Sequence, residues 1–158
     1  MISWGFKENH LSGLELDSNR AEIVQLALPN AELKIGNAVN LPWDSNKFDF
    51  VVPSTVFSSI LKSNVSELIA QEIKRVLKPE GGLIWYDLAV NNPNNTDVKG
   101  VKTKELNRLF PDFNSKIHSV TLAPPIARFI TPKSITLACI LNSIPFLRTN
   151  LIGILIKK

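Results

Sequence analysis

Gly13-Leu14-Glu15-Leu16-Asp17 closes an apolar stretch that begins at Leu11, and Gly36-Asn37-Ala38 closes a second one that begins at Ala31. Between them, Asp17 or Ser18 offers an oxygen to cap a helix running to about Leu28, with Val24, Ala27 and Leu28 on one face and Pro29-Asn30 as its stop. An acid and then an amide therefore stand at the ends of successive predicted strands. In doubly wound sheets, ligands bind at those ends.

The same alternation continues downstream. Leu41 to Lys47 is rich in turn formers, and Phe48-Asp49-Phe50-Val51-Val52 reads as a buried strand from its nearly continuous apolar character. From Val65, the residues Leu68, Ile69, Ile73, Val76 and Leu77 fall at helical spacing. Pro79-Glu80-Gly81-Gly82 then turns the chain into a strand, Leu83 to Asp87. Strands alternating with helices imply parallel pairing, because each crossover must hold a helix. Beyond Asp87 the pattern loosens. Asn91 to Asn95 forms a polar loop, Thr103 caps a short helix through Phe110, and Ile117 to Leu122 is a strand. Pro124-Pro125 leads into a helix from about Pro132 to Ser143, and Leu151 to Ile156 is a final strand of open orientation.

With 158 residues, 44% of them hydrophobic, the chain suits one domain, residues 1–158. One cysteine, Cys139, set among apolar neighbours, reads as a buried thiol and fits a reducing cytoplasm; no signal peptide is visible. The apolar run from Ile135 to Ile156 is broken by Asn142, Pro145, Arg148 and Asn150, so it reads as helix, loop and strand rather than a membrane span. One cysteine and two distant histidines exclude a zinc site. Residues 1–96 hold 8 Lys and Arg against 11 Asp and Glu, whereas residues 97–158 hold 10 against 3. This asymmetry suits an anionic acceptor or a membrane surface, and nucleic acid is not indicated.

Four blocks in this order, Gly13-Leu14-Glu15-Leu16, Gly36-Asn37-Ala38 with Asn40-Leu41-Pro42-Trp43, Lys47-Phe48-Asp49-Phe50-Val51-Val52, and Glu72 to Gly82, resemble the class I S-adenosylmethionine-dependent methyltransferases of the type 11 kind. The resemblance implies an α/β Rossmann-like fold, with a mostly parallel sheet and helices on both faces. It also implies S-adenosylmethionine as cofactor. On that pattern Glu15 accepts from the ribose hydroxyls, Leu16 packs on the adenine, and Asn37 stands where the family usually has an acid facing the adenine amino group. Ala38 offers a backbone N–H to the ring, and Ser54 lies where the main chain passes the methionyl end.

The family's first strand, central in its sheet, and the glycine-rich loop after it have no match ahead of Glu15. Ser3-Trp4-Gly5-Phe6-Lys7 resembles only the tail of the helix that follows that loop. The expectation is thus an incomplete domain, with its first strand and loop missing and cofactor binding impaired. The acceptor is a small molecule, lodged between Phe57 to Leu61, Asn91 to Asn95 and Ala123 to Phe129. No general base is assigned; Asp87 and Tyr86 face the acceptor side, and His10 and His118 read as structural or exposed. Asp49 reads as a structural hydrogen-bonding group, and Trp43 and Trp85 as core or rim aromatics. Base-modifying amino methyltransferases and the metal-dependent catechol type are disfavoured, since Val52-Pro53-Ser54-Thr55 lacks the first group's motif and no acids cluster there. Two other readings stay open: a degenerate, non-catalytic methyltransferase-like domain, and a nicotinamide-dependent reductase whose ribose would also suit Glu15.

Overall fold

The computed structural model describes residues 5–92 and 95–158. Ser3 and Trp4 of the expected helix tail, and Pro93 and Asn94 of the polar loop, lie outside the described residues. Gly5 to Lys7 form no helix.

Among the described residues the strands and α-helices follow in the order β1 (Ser12–Glu15), α1 (Ser18–Ala27), β2 (Glu32–Ile35), β3 (Phe48–Val51), α2 (Ser63–Val76), β4 (Leu77–Leu88), α3 (Thr103–Leu109), β5 (Phe113–Leu122), α4 (Pro124–Ile130), α5 (Ile135–Asn142) and β6 (Arg148–Lys157). β1 and β2 pair in parallel, as do β3 and β4. The open orientation at the end resolves into an antiparallel β6 inserted between β4 and β5. Hydrogen bonding divides the strands into two groups, β1-β2 and β3-β4-β6-β5. Among the described residues, β1 and β3 each have one edge without a strand partner.

One face of the four-stranded sheet carries the core. Leu83, Trp85, Leu151 and Leu155 alternate inward along β4 and β6 and meet Ile69, Ile73, Leu106, Leu109 and Phe110 of α2, α3 and the residue after it. Phe57 and Phe110 flank the Trp85 ring at 4.8 and 6.4 Å between centroids. Burying each such side chain contributes roughly 1.5–3 kcal/mol. α2 has the expected amphipathic pattern, though Leu68 faces solvent while Ser66, Ile69, Ala70, Ile73 and Val76 are buried. Its last carbonyls are met from β6, where Lys157 Nζ donates to Lys74 O (2.8 Å) and Leu77 O (3.1 Å). A cation at a helix carboxyl end also complements the helix dipole.

Several sequence expectations are corrected here. Phe50 of β3 and Val52 just past it are exposed rather than buried, and the Phe50 ring shares with Ile156 the face of the sheet away from α2 and α3. On α1 only Ala21 is buried, and Val24 and Ala27 do not pack inward. Thr103 starts α3 but caps nothing. Pro124-Pro125 opens a helix of its own, α4, because proline's fixed φ and missing N–H suit a first helical turn. Cys139, on α5, is exposed.

The Pro79 turn becomes an excursion inside β4. Phe48 pairs with Leu77 and Phe50 with Gly82, so residues 78–81 face the single residue Asp49. A Cβ on Gly81 would come within 2.8 Å of Lys78 O, and one on Gly82 within 2.5 Å of the Phe50 ring. A side chain at Gly81 would thus force the backbone to shift, and one at Gly82 would displace the Phe50 ring.

Candidate functional site

The carboxyl ends of β1 and β2 lie side by side, since Glu15 pairs with Ile35 and Gly36 N–H donates to Glu15 O at 2.9 Å. Glu15 folds back on its own turn: Oε1 accepts from the backbone N–H of Leu16 (2.9 Å) and Asp17 (3.2 Å). These bonds fix the carboxylate's direction and leave Oε2 without a partner among the described residues. Asp17 then starts α1, its Oδ1 accepting from Asn19 N–H (2.8 Å) and Arg20 N–H (3.1 Å), as its position predicts. Leu16 projects its side chain into solvent at 70% exposure.

Across the turn after β2, Asn37 is exposed and its Oδ1 accepts from Val39 N–H at 3.1 Å. Ala38 is half-buried and packs against the main core, while its N–H has no acceptor among the described residues. Ser54 stands apart, past the end of β3 in the other strand group, where it bridges Tyr86 in parallel. Four of the five expected residues thus gather at one ledge, and the fifth sits at the corresponding end of the next group. Two surface concavities, along α3 (Gly100, Lys102, Lys104, Glu105, Asn107, Arg108) and on α1 (Glu22, Gln25, Leu26), include none of the five.

This set suits the adenosine half of the expected cofactor. A vicinal diol offers two donors to a carboxylate whose second oxygen is unengaged, and an exposed Leu beside it offers an apolar face to a purine. The amide of Asn37 still carries a donor, and its oxygen a second lone pair.

Residues expected near the acceptor behave differently. Asp87 is fully buried: Oδ2 accepts from Phe57 N–H (2.8 Å) and Ser58 N–H (3.1 Å), and Oδ1 from Leu88 N–H (2.8 Å). It anchors the 3-10 turn Phe57–Ser59. Phe57 belongs to the core, so the Phe57 to Leu61 segment turns only part of itself outward. Ala123 to Phe129 is mostly helix α4. Tyr86 Oη lies 3.4 Å from Thr121 Oγ1. His10 and His118 are exposed. Trp85 is core, and Trp43 is a buried aromatic packed edge-on against Phe48 at 5.2 Å. Asp49 pairs with Lys78 at 2.8 Å, and that ammonium holds its carboxyl below the usual range.

The residue-type pattern missed a latch beneath this ledge. Arg75 Nε donates to Glu72 Oε1 (2.8 Å), while its terminal nitrogens donate to Trp43 O (2.7 Å) and Leu41 O (2.9 Å). Glu72 Oε2 accepts from Leu41 N–H at 2.7 Å, closing the network. Arg75 holds the Glu72 carboxyl below its ordinary pKa. The loop between β2 and β3 is thereby clamped to α2. The i, i+3 spacing of Glu72 and Arg75 was the available signal. A second cluster joins β1, β2 and this loop: Glu32 accepts from Lys47 (2.8 Å) and Ser12 (3.0 Å) and pairs with Lys34 (3.2 Å). Lys47, above all, lowers the Glu32 pKa to about 2.

Alternating strands and helices, with parallel pairing of β1 with β2 and of β3 with β4, define a Rossmann-like α/β protein, a class whose ligands sit at the carboxyl ends of the strands. The chain belongs to the Methyltransferase domain family, whose profile matches residues 4–85 and so includes Glu15, Asn37 and Ser54. Demethylmenaquinone methyltransferase of Listeria monocytogenes serotype 4a is 33% identical over 90 residues, covering 54% of this chain and 37% of that protein. The chain thus matches little more than a third of this curated relative's length. Among solved structures, a SAM-dependent methyltransferase of Methanosarcina mazei superposes with a TM-score of 0.65 at 17% identity, covering 92% of this chain and 81% of that one. A possible histamine N-methyltransferase of Thermotoga maritima does so with a TM-score of 0.66 at 19% identity, covering 92% and 72%. At these identities the superpositions establish the fold. The family's cofactor is S-adenosylmethionine. No helix among the described residues is long and apolar enough to cross a membrane.

Proposed function

We propose that this chain carries the adenosine-binding part of a methyltransferase that moves a methyl group from S-adenosylmethionine to a small-molecule acceptor. The observation that carries this reading is the Glu15 carboxylate, aimed by two backbone N–H groups beside an exposed Leu16 and the Asn37-Ala38 turn. Bound S-adenosylmethionine supplies an activated methyl on a sulfonium. The residues around it need to bind, orient and exclude water, and a base is required only for an acceptor with a poorly acidic proton. Glu15 would hold the ribose, Leu16 and Asn37 the adenine edge and face, Ala38 N–H a ring nitrogen, and the backbone near Ser54 the methionyl end. Demethylmenaquinone, from the name of the Listeria relatives, is the first acceptor to assay. The excess of cations after residue 97 also supports testing anionic acceptors. A reducing cytoplasm suits the single exposed thiol of Cys139.

A second reading is favoured by the edges of β1 and β3 that have no strand partner among the described residues. On it, the chain as given binds cofactor weakly, and its full site needs a further strand between those edges. Calorimetric titration with S-adenosylmethionine separates the two. Binding that falls at least tenfold in Glu15→Ala supports the first. Silence from this chain, with binding restored by a longer version that adds a strand and glycine-rich turn ahead of Met1, supports the second. Silence from both leaves the degenerate domain.

A further inference from the structure

Between β5 and β6 the chain makes a lobe, residues 123–147, composed of α4, α5 and the 3-10 turn Pro145–Leu147. None of these three elements has a buried residue. Yet α5 reads Ile-Thr-Leu-Ala-Cys-Ile-Leu-Asn, apolar nearly all round, and would ordinarily lie in a core. Phe146 is 84% exposed, Ile135 71% and Phe129 67%, with Leu137 and Ile140 also outward. The charge around them has one sign. From Ala123 to Arg148 the sequence holds three cations, Arg128, Lys133 and Arg148, and no Asp or Glu; Lys116, Lys157 and Lys158 belong to the opposite end of β5 and β6. Lys133 Nζ sits 3.7 Å from the centre of the exposed Phe129 ring, so cation and aromatic share one spot on the surface.

We infer that this lobe docks onto an anionic lipid bilayer surface. Exposed aromatic and aliphatic side chains rimmed by Lys and Arg are the composition that settles at the headgroup boundary, the apolar groups entering and the cations meeting lipid phosphates. A second copy of the chain is a poorer occupant, because two such lobes would bring only positive charge together. The position adds to the argument. β4 ends at Leu88, opposite Asn150, and β5 ends at Leu122, opposite Arg148, so the lobe stands at the carboxyl rim of the sheet, the rim to which Ser54 and the end of β4 also belong. A docked lobe would present that rim to the membrane. The docking itself is independent of the methyl-transfer reading.

The test is flotation of the whole chain with vesicles of phosphatidylglycerol and phosphatidylcholine in equal parts, and with pure phosphatidylcholine. Binding to the anionic vesicles is expected, weakened by added salt. The double variant Phe129→Ser with Phe146→Ser should lose roughly tenfold or more of it. Arg128→Glu with Lys133→Glu should lose a comparable amount. Ile154→Ser, on an exposed strand face outside the lobe, should bind as the parent does. Should the double variant lack the parent's near-ultraviolet dichroism, Phe146→Ser alone carries the comparison. The inference is overturned by no preference for anionic vesicles, by unchanged binding of the lobe variants, or by loss confined to Ile154→Ser. It is also overturned by a concentration-dependent dimer in sedimentation that Phe146→Ser abolishes.

Discussion

The two faces of the four-stranded sheet come from the same strands yet have opposite fates. Odd-numbered residues of β4 and β6, among them Leu83, Trp85, Asp87, Leu151 and Leu155, are buried under α2 and α3. Even-numbered neighbours on β6, Ile152, Ile154 and Ile156, are apolar too, but they remain open to solvent together with Phe50 on β3. Strands buried on both sides carry apolar residues at every position, and this sequence has that composition while helices α2 and α3 cover only one side. The comparison teaches that stability should reside in one face, leaving the other tolerant of change.

The sharpest way to break that comparison is on the packed side. Trp85→Ala removes a side chain with no exposed surface and should destabilise the chain by about 3–5 kcal/mol in urea unfolding. A loss below roughly 1 kcal/mol would show that the core has been misplaced. Asp87→Ala leaves the N–H groups of Phe57, Ser58 and Leu88 without their acceptor. It should cost about 2–4 kcal/mol and, by calorimetry, leave any cofactor affinity of the still-folded fraction unchanged. Next comes the latch: Glu72→Ala is expected to cost about 1.5–3 kcal/mol, with faster amide exchange at Leu41 as its local mark. On the open side, Ile154→Ala should change stability by less than about 1 kcal/mol.

The smallest effect is a pH dependence. Glu32 has a folded pKa of about 2 against an ordinary 4.5, so its contribution is complete above pH 4.5 and is lost as pH falls toward 2. Because the carboxylate is well exposed, the change should be slight. Comparing urea midpoints of the parent and Glu32→Gln across that window should show a shallower acid slope in the variant.

How much of this was readable in advance follows from the same contrast. Glu15, Gly36 and Asn37 were placed at strand ends because glycines, turn formers and periodicity mark where strands stop. The helical spacing of Ile69, Ile73 and Val76 likewise gave the face of α2 that packs inward. What single-sequence periodicity lacks is knowledge of what lies opposite. Phe48 to Val52 reads as buried, whereas the uncovered face of the sheet leaves Phe50 open, and Cys139 reads as buried because its neighbours are apolar, yet it is exposed. Asp87 faces the acceptor side by its strand-end position, but backbone donors from Phe57, Ser58 and Leu88, two of them reached through tertiary packing, make it an anchor. Pro124-Pro125 reads as a lead into a later helix and itself starts α4. The hydrogen bonds of Arg75 to Trp43 and Leu41 span more than thirty residues, beyond any local pattern.

The central claim is that the ends of β1 and β2 form the wall for adenosine. Its most direct test is titration of S-adenosylmethionine into the isotopically labelled chain, read residue by residue in amide spectra. The account predicts shifts concentrated at Glu15, Leu16, Asn37 and Ala38, with smaller ones near Ser54, and their loss in Glu15→Ala. Shifts centred instead on α3 or on the lobe after β5, with the Glu15 and Asn37 amides unmoved at saturation, would contradict it.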